Sequence, residues 1–315
     1  MMNNPWSKIS KPVPNKIHRK RVDHQHPLDI FWGRDQQGRY LLVCLLNKEV
    51  DLSDDLPKVT GVEVISPNKN TLILALKDTG NWELFFSLCE DVINSTKVIN
   101  DSTNYLIVIL RRLSSWQKFL MRERSTIFTE EKIKGLIGEL FLIKNHLTPK
   151  FGVGDSIKFW MGPEGAPQDF IVNNTVIEVK SKLGDTAGKI KINSIEQLCP
   201  QVPTMYLYVV TLGKAESGSN ECIDLQMLIE EVRNNIFDNA PAQLERFNDL
   251  LLQINYINND DYKNYKYLLI DESIYTVKNG FPRICQDSVA TGIDRISYSI
   301  LLSECKEYLT NFNWK

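Results

Sequence analysis

Residues 204–212, TMYLYVVTL, run almost without a polar break. A strand with Val, Leu and aromatic groups on both faces has to be covered on both, because neither face can be left against water. The segments before it supply the material for such layers. Residues 129–147 carry apolar groups at three- and four-residue spacing, with Thr129 placed as N-cap and Glu130-Glu131 in the first turn, where acids favour the helix dipole. Residues 166–182 read as two short strands joined by a turn at Asn173-Asn174. A third strand, KIKIN (189–193), and a short helix, SIEQL, opened by Ser194, complete the run. The order helix, strand, strand, strand, helix, strand predicts an α/β (α+β) core around a mixed sheet.

Both ends of the chain add β-rich material. Residues 29–46 form a hairpin turning at Gln36-Gln37-Gly38, and 59–77 give two more strands around Pro67-Asn68, so 28–78 is a small, mostly antiparallel unit. Helical spacing follows in 82–96 and 103–124. After the central strand come helices around 222–236 and 240–253, then strands in 265–278 and 295–305. The expected organisation is a basic N-terminal arm (1–27), a β-rich unit followed by two helices (28–128), the core (129–212), and C-terminal helices and strands packing on it (213–315).

With a net charge of −2, no basic field spans the whole protein, so any nucleic-acid surface has to be local. No segment reaches the roughly 18 apolar residues of a membrane span, and the start lacks a signal-peptide run, which predicts a soluble, cytoplasmic protein. The six cysteines are scattered with no CxxC, which predicts reduced thiols rather than disulfides or a zinc cage. His18, His24 and His26 lie in the polar lead segment NKIHRKRVDHQHP, which reads as mobile.

The second strand of the central hairpin, TVIEVKSK, poses a chemical question. Ile177 and Val179 share one face, so Glu178, Lys180 and Lys182 line the other. Asp169, on the partner strand, reaches the same face near Glu178 if the turn is tight. Two carboxylates at a sheet end make a hard-oxygen pocket suited to Mg²⁺, and the carbonyl of Val179 is a further ligand candidate. A lysine beside such an ion orients a water and offsets charge on a phosphate. The competing reading is a solvated face with Glu and Lys as cross-strand partners. Glu139 falls at the edge of the apolar side of its helix, where an acid needs a partner: a salt bridge to Lys132, or the acidic pocket. Gly135 and Gly138 allow that helix to lie close to whatever it packs on. Gln197, just past the third strand, is either a surface residue or a donor to the site. Lys182, Lys189 and Lys191 sit close to it in sequence, either as phosphate contacts or as charges guarding an edge strand.

Together, GLIGELFLI with Glu139, APQDF with Asp169, IEVKS with Glu178 and Lys180, and SIEQL with Gln197 resemble the PD-(D/E)XK nuclease superfamily. The resemblance implies a restriction-endonuclease-like αβββαβ core and a phosphodiesterase site dependent on Mg²⁺ (or Mn²⁺). Its implied metal ligands are Asp169 and Glu178 with Glu139 as the helix-borne acid, beside the Val179 carbonyl already a candidate, and Lys180 and Gln197 complete the catalytic set. Lys182, Lys189 and Lys191 are the expected DNA contacts. The first motif departs from the pattern only in its loosest part, with Gln168 before Asp169 and Pro167 one further back. DIFWGRDQQGRYLLV and RICQDSVATGIDRISYSILLSEC are similar to an uncharacterised bacterial branch linked with restriction and phage-defence gene sets. That similarity implies DNA as partner, with other defence-system proteins or a second copy of the chain as further partners, and no membrane. The alternative it leaves open is a non-catalytic DNA-binding or scaffolding subunit that keeps the fold.

Overall fold

The computed structural model describes every residue except 1–2, 15, 48, 50–55, 98–104, 123–126, 185–187, 216–221 and 315. Two units emerge, Met1–Thr126 with Leu251–Asn258, and Ile127–Leu250 with Asn259–Lys315.

The first unit is a five-stranded antiparallel sheet of β1 (Ile17–Arg21), β2 (Asp29–Asp35), β3 (Tyr40–Leu45), β4 (Val62–Asn68) and β5 (Thr71–Leu76), in the order β1-β2-β3-β5-β4. The expected hairpin between β2 and β3 closes on Gly38, whose φ of +86° suits glycine. Asp35 Oδ1 accepts there from the backbone N–H of Gln37 and Arg39. Helices α1 (Trp82–Lys97) and α2 (Tyr105–Met121) join one core with the strand residues Ile30, Trp32, Leu42, Leu72 and Leu74.

The described residues of the lead segment are packed, not the mobile arm expected. Trp6 is fully buried, stacks on Tyr40 at 5.1 Å and donates from Nε1 to Leu41 O at 2.8 Å. Removing on the order of 200 Å² of indole from water contributes about 5 kcal/mol as an upper figure. Beyond it, β1 pairs with β2 across five positions. His26 is buried too, with its ring nitrogens 2.9 Å from the carbonyls of Leu28 and Ile93. The polar character of the segment hid these apolar and hydrogen-bonded anchors.

The second unit has the mixed α+β architecture expected of the core. Helix α3 (Glu130–Phe141) starts where Thr129 accepts from Lys132 N and runs into a π-helical turn, Leu142–Leu147. Short helices α4 (Thr148–Phe151) and α5 (Val153–Phe159) lead to the hairpin of β6 (Phe170–Val172) and β7 (Thr175–Leu183). Strands β8 (Lys189–Ile192), β9 (Thr204–Lys214) and β10 (Ile223–Asp224) follow, then α6 (Leu225–Asn239), α7 (Leu244–Gln253, counted with the first unit from Leu251 on), β11 (Lys266–Thr276), β12 (Tyr298–Leu301) and β13 (Leu309–Thr310). The large sheet has the order β10-β11-β9-β7-β6, with β13 on β11. β7 and β9 run parallel and the other pairs are antiparallel. β9 is the long apolar strand, and its residues from Met205 through Leu212 are all buried.

Three local features differ from expectation. β8 does not join the large sheet; it pairs with β12, so that Ile190 and Ile192 close a core with Leu207, Val209 and Ile300. SIEQL makes only a single 3₁₀ turn, Ile195–Leu198: Pro200 has no N–H to give the carbonyl of Glu196 an α-helical bond, and that oxygen accepts instead from Cys199 N at 3.3 Å and Gln168 Nε2 at 2.5 Å. Residues 302–305, read as the end of a strand, instead open a 3₁₀ segment, Leu302–Tyr308, that buries Cys305 and Tyr308.

Candidate active site

The β6–β7 hairpin builds the first half of the site. Its turn holds Asn173 at φ +53°, a conformation Asn tolerates better than most residues. The register pairs Phe170 with Ile177, so one step further out Asp169 stands opposite Glu178. The loop before β6 fixes Asp169 independently: Met161 N and Gly162 N both donate to Asp169 O at 2.9 Å. A Cβ at Gly162 would lie 3.0 Å from Asp169 Oδ1 and 3.2 Å from its Cα, so the position has room only for glycine. Asp169 Oδ2 accepts from Val179 N at 2.7 Å.

On β7, Glu178 is fully buried and Lys180 half-buried, with Lys180 Nζ 2.5 Å from Glu178 Oε1. The same Nζ donates to Gln197 Oε1 at 3.3 Å, and that oxygen also accepts from Asn193 N at 2.8 Å. The 3₁₀ turn thus delivers Gln197 to the lysine, although no full helix forms. Cys285 reaches the end of this turn and is bonded to Cys199, a correction to the expectation of reduced thiols. The two are 86 residues apart in sequence, so spacing held no sign of the pairing. Arg283 Nη1 adds a hydrogen bond to Leu198 O at 2.9 Å.

Helix α3 lies over the other face of β7. At Gly138 a Cβ would be 2.3 Å from Ser181 Oγ and 3.1 Å from Val179 Cγ1, so this glycine lets the helix approach. Gly135 meets nothing within 4 Å and has no such role. Glu139 is half-buried and its partner is not Lys132, whose ammonium sits over the Phe128 ring at 5.6 Å. Instead the buried indole of Trp160 donates to Glu139 Oε2 at 2.6 Å. Trp160 also bridges Phe170, next to Asp169. Neither Trp160 nor Gly162 stands out in the sequence, because each acts through a contact that only the loop's path creates.

Burial pushes all three carboxyl groups above their ordinary range. For Glu139 burial and the nearby Asp169 raise it to about 8, against the Trp160 hydrogen bond and Lys180. Glu178 is raised well above its usual value by burial and Asp169, with Lys180 opposing. Asp169 is raised by burial, against Lys180 and the Val179 N–H. Each carboxylate has one oxygen engaged, and Glu178 Oε2 is buried with no hydrogen-bond partner. Among the described residues no three His, Cys, Asp or Glu side chains close into a metal cage. The donor set nonetheless fits a hard cation: spare oxygens on Asp169, Glu178 and Glu139, with the Val179 carbonyl in the same strand and the balance left to water.

The lysines separate. Lys182 is half-buried on β7, with Nζ 3.5 Å from Leu183 O. Lys189 and Lys191 are exposed on one face of β8, opposite the buried Ile190 and Ile192. No helix among the described residues is long and apolar enough to cross a membrane.

Residues 2–303 match the model of a family described as "Putative PD-(D/E)XK family member, (DUF4420)". No curated protein and no solved structure matches the chain.

Proposed function

The chain belongs to this PD-(D/E)XK family, and from that premise we propose that it is a metal-dependent deoxyribonuclease hydrolysing DNA phosphodiester bonds in restriction or phage defence, in the cytoplasm. One observation carries the reading. A fully buried glutamate, Glu178, keeps an oxygen with no donor while sharing its other oxygen with a lysine and facing an aspartate. An unsatisfied buried carboxylate oxygen is costly, and a divalent cation is the partner that this all-oxygen surrounding favours.

Asp169 and Glu178 would hold Mg²⁺ or Mn²⁺, with the Val179 carbonyl and Glu139 completing the set. When bound, the ion supplies Lewis-acid stabilisation of the phosphate and lowers the pKa of a water. Lys180 presents Nζ between Glu178 and Gln197. From there it donates to the attacking water, orients it and offsets charge building on the phosphate. Gln197, fixed by Asn193 N, keeps the ammonium from turning wholly toward Glu178. Trp160 restrains Glu139 by its hydrogen bond. Lys182, Lys189 and Lys191 supply phosphate contacts that position DNA without reading bases.

The test is plasmid nicking by purified protein with Mg²⁺ or Mn²⁺, alongside Lys180→Ala. Nicking that ends in Lys180→Ala while DNA binding persists supports the reading. DNA binding with no nicking by wild type under either ion would identify a non-catalytic binding or scaffolding subunit instead.

A further inference from the structure

The strongest concentration of unopposed charge lies far in sequence from the carboxylates. Residues 1–22 hold six of the 37 Lys and Arg and none of the 39 Asp and Glu. The rest of this net-acidic chain therefore carries a surplus of acids, and the lead segment is its positive pole. Packing holds the segment in place: Trp6 and Ile9 are buried, Arg34 Nη1 donates to Ile9 O at 3.2 Å, and β1 forms the edge of the first unit's sheet.

The charged groups on this scaffold point to water. Lys8, Lys11, Lys16, Arg19 and Lys20 are all exposed. Arg19 rests its guanidinium over the Phe31 ring at 4.5 Å, an arrangement that leaves its N–H edge outward. Arg21 is the member of the group paired with an acid, Asp29. The other acids nearby are engaged by different cations: Asp23 by Lys97, and Asp35 and Glu63 both by Arg39. Among the described residues, no acid of the unit forms an ion pair with any of the five remaining cations.

We propose that this edge, Lys8, Lys11, Lys16, Arg19 and Lys20 on and before β1, is a docking surface for the phosphate backbone of duplex DNA. The proposal rests on the nuclease reading for the identity of the polyanion. A lysine on an edge strand also guards against edge-to-edge pairing. That role needs charge on β1 alone, yet Lys8, Lys11 and Lys16 precede the strand, where no ladder is exposed. Repeated cations on a fixed scaffold match a regularly spaced polyanion, and they supply the local basic surface that the overall charge of −2 requires of a DNA-acting protein.

The experiment measures binding of the full chain to a fluorescent duplex without divalent metal, over a series of salt concentrations. The Lys8→Gln, Lys11→Gln, Lys16→Gln, Lys20→Gln quadruple variant should flatten the slope of log affinity against log salt by about three to four, and weaken low-salt binding by at least about tenfold. The same four changed to Arg should keep the wild-type slope. Thermal melting checks that all variants fold. An unchanged slope in the Gln variant, absent wild-type binding, or an effect confined to single-stranded RNA would each overturn the proposal. Plasmid nicking at saturating DNA is scored separately. A lost slope without nicking by wild type overturns the nuclease reading alone, and nicking with an unchanged slope overturns this surface alone.

Discussion

Two glycines three residues apart on α3 give a matched test of how the helix is seated. Replacing glycine by alanine inside a helix stabilises it by about 0.5–1 kcal/mol through backbone entropy. At Gly135, where a Cβ meets nothing within 4 Å, Gly135→Ala should show that gain in full. At Gly138 the same methyl arrives 2.3 Å from Ser181 Oγ and 3.1 Å from Val179 Cγ1. Ser181 Oγ is buried without a hydrogen-bond partner, so it rotates away without losing a bond, but Val179 belongs to the strand and must yield with it. Overpacking of this kind costs about 1–3 kcal/mol, which outweighs the propensity gain and leaves Gly138→Ala destabilised by about 1–2 kcal/mol. For a domain of this size each kcal/mol moves Tm by about 2–4 °C, so the two variants should melt on opposite sides of wild type. Adding Ser181→Ala to Gly138→Ala leaves the Ser181 Cβ at 3.7 Å, an ordinary contact, and should recover part of the loss. The assay is thermal melting of all four proteins in one buffer. If Gly138→Ala stabilises as much as Gly135→Ala, α3 does not sit on β7 as closely as argued.

Further outcomes follow from the site and from the covalent link beside it. The folded-state pKa of Glu139 and Glu178 is raised, so their protonated forms favour the fold; that contribution is present below the unfolded carboxyl range and fades as pH rises toward about 8 for Glu139. Metal-free protein should therefore lose thermal stability between about pH 5 and pH 8, Glu139→Gln should flatten the loss, and added Mn²⁺ should offset it in wild type more than in Asp169→Asn; a flat metal-free profile would contradict the burial argument. Reducing the bond between Cys199 and Cys285, which closes a segment of 86 residues, should remove up to about 4.6 kcal/mol in the chain-entropy picture. A Cys199→Ser/Cys285→Ser variant melting at the wild-type temperature under oxidising conditions would show that the link contributes nothing.

Strand parity is a local property with a period of two residues, so TVIEVKSK by itself set Glu178 and Lys180 side by side, and the Asn173-Asn174 turn set Asp169 opposite them. The same locality made β9 recognisable as a strand covered on both faces and Thr129 as a cap. Contacts between distant segments were not encoded in any such period. Which donor meets Glu139 depends on the path of the loop that carries Trp160, 21 residues on, and no helical wheel contains that path. β8 left the large sheet because Ile190 and Ile192 find their apolar cover with β12, a choice made by burial across the unit rather than by the alternation of KIKI. The lead segment looked solvated because its polar residues outnumber its apolar ones. Its place was decided by Trp6, whose indole is buried against partners that only the folded sheet assembles.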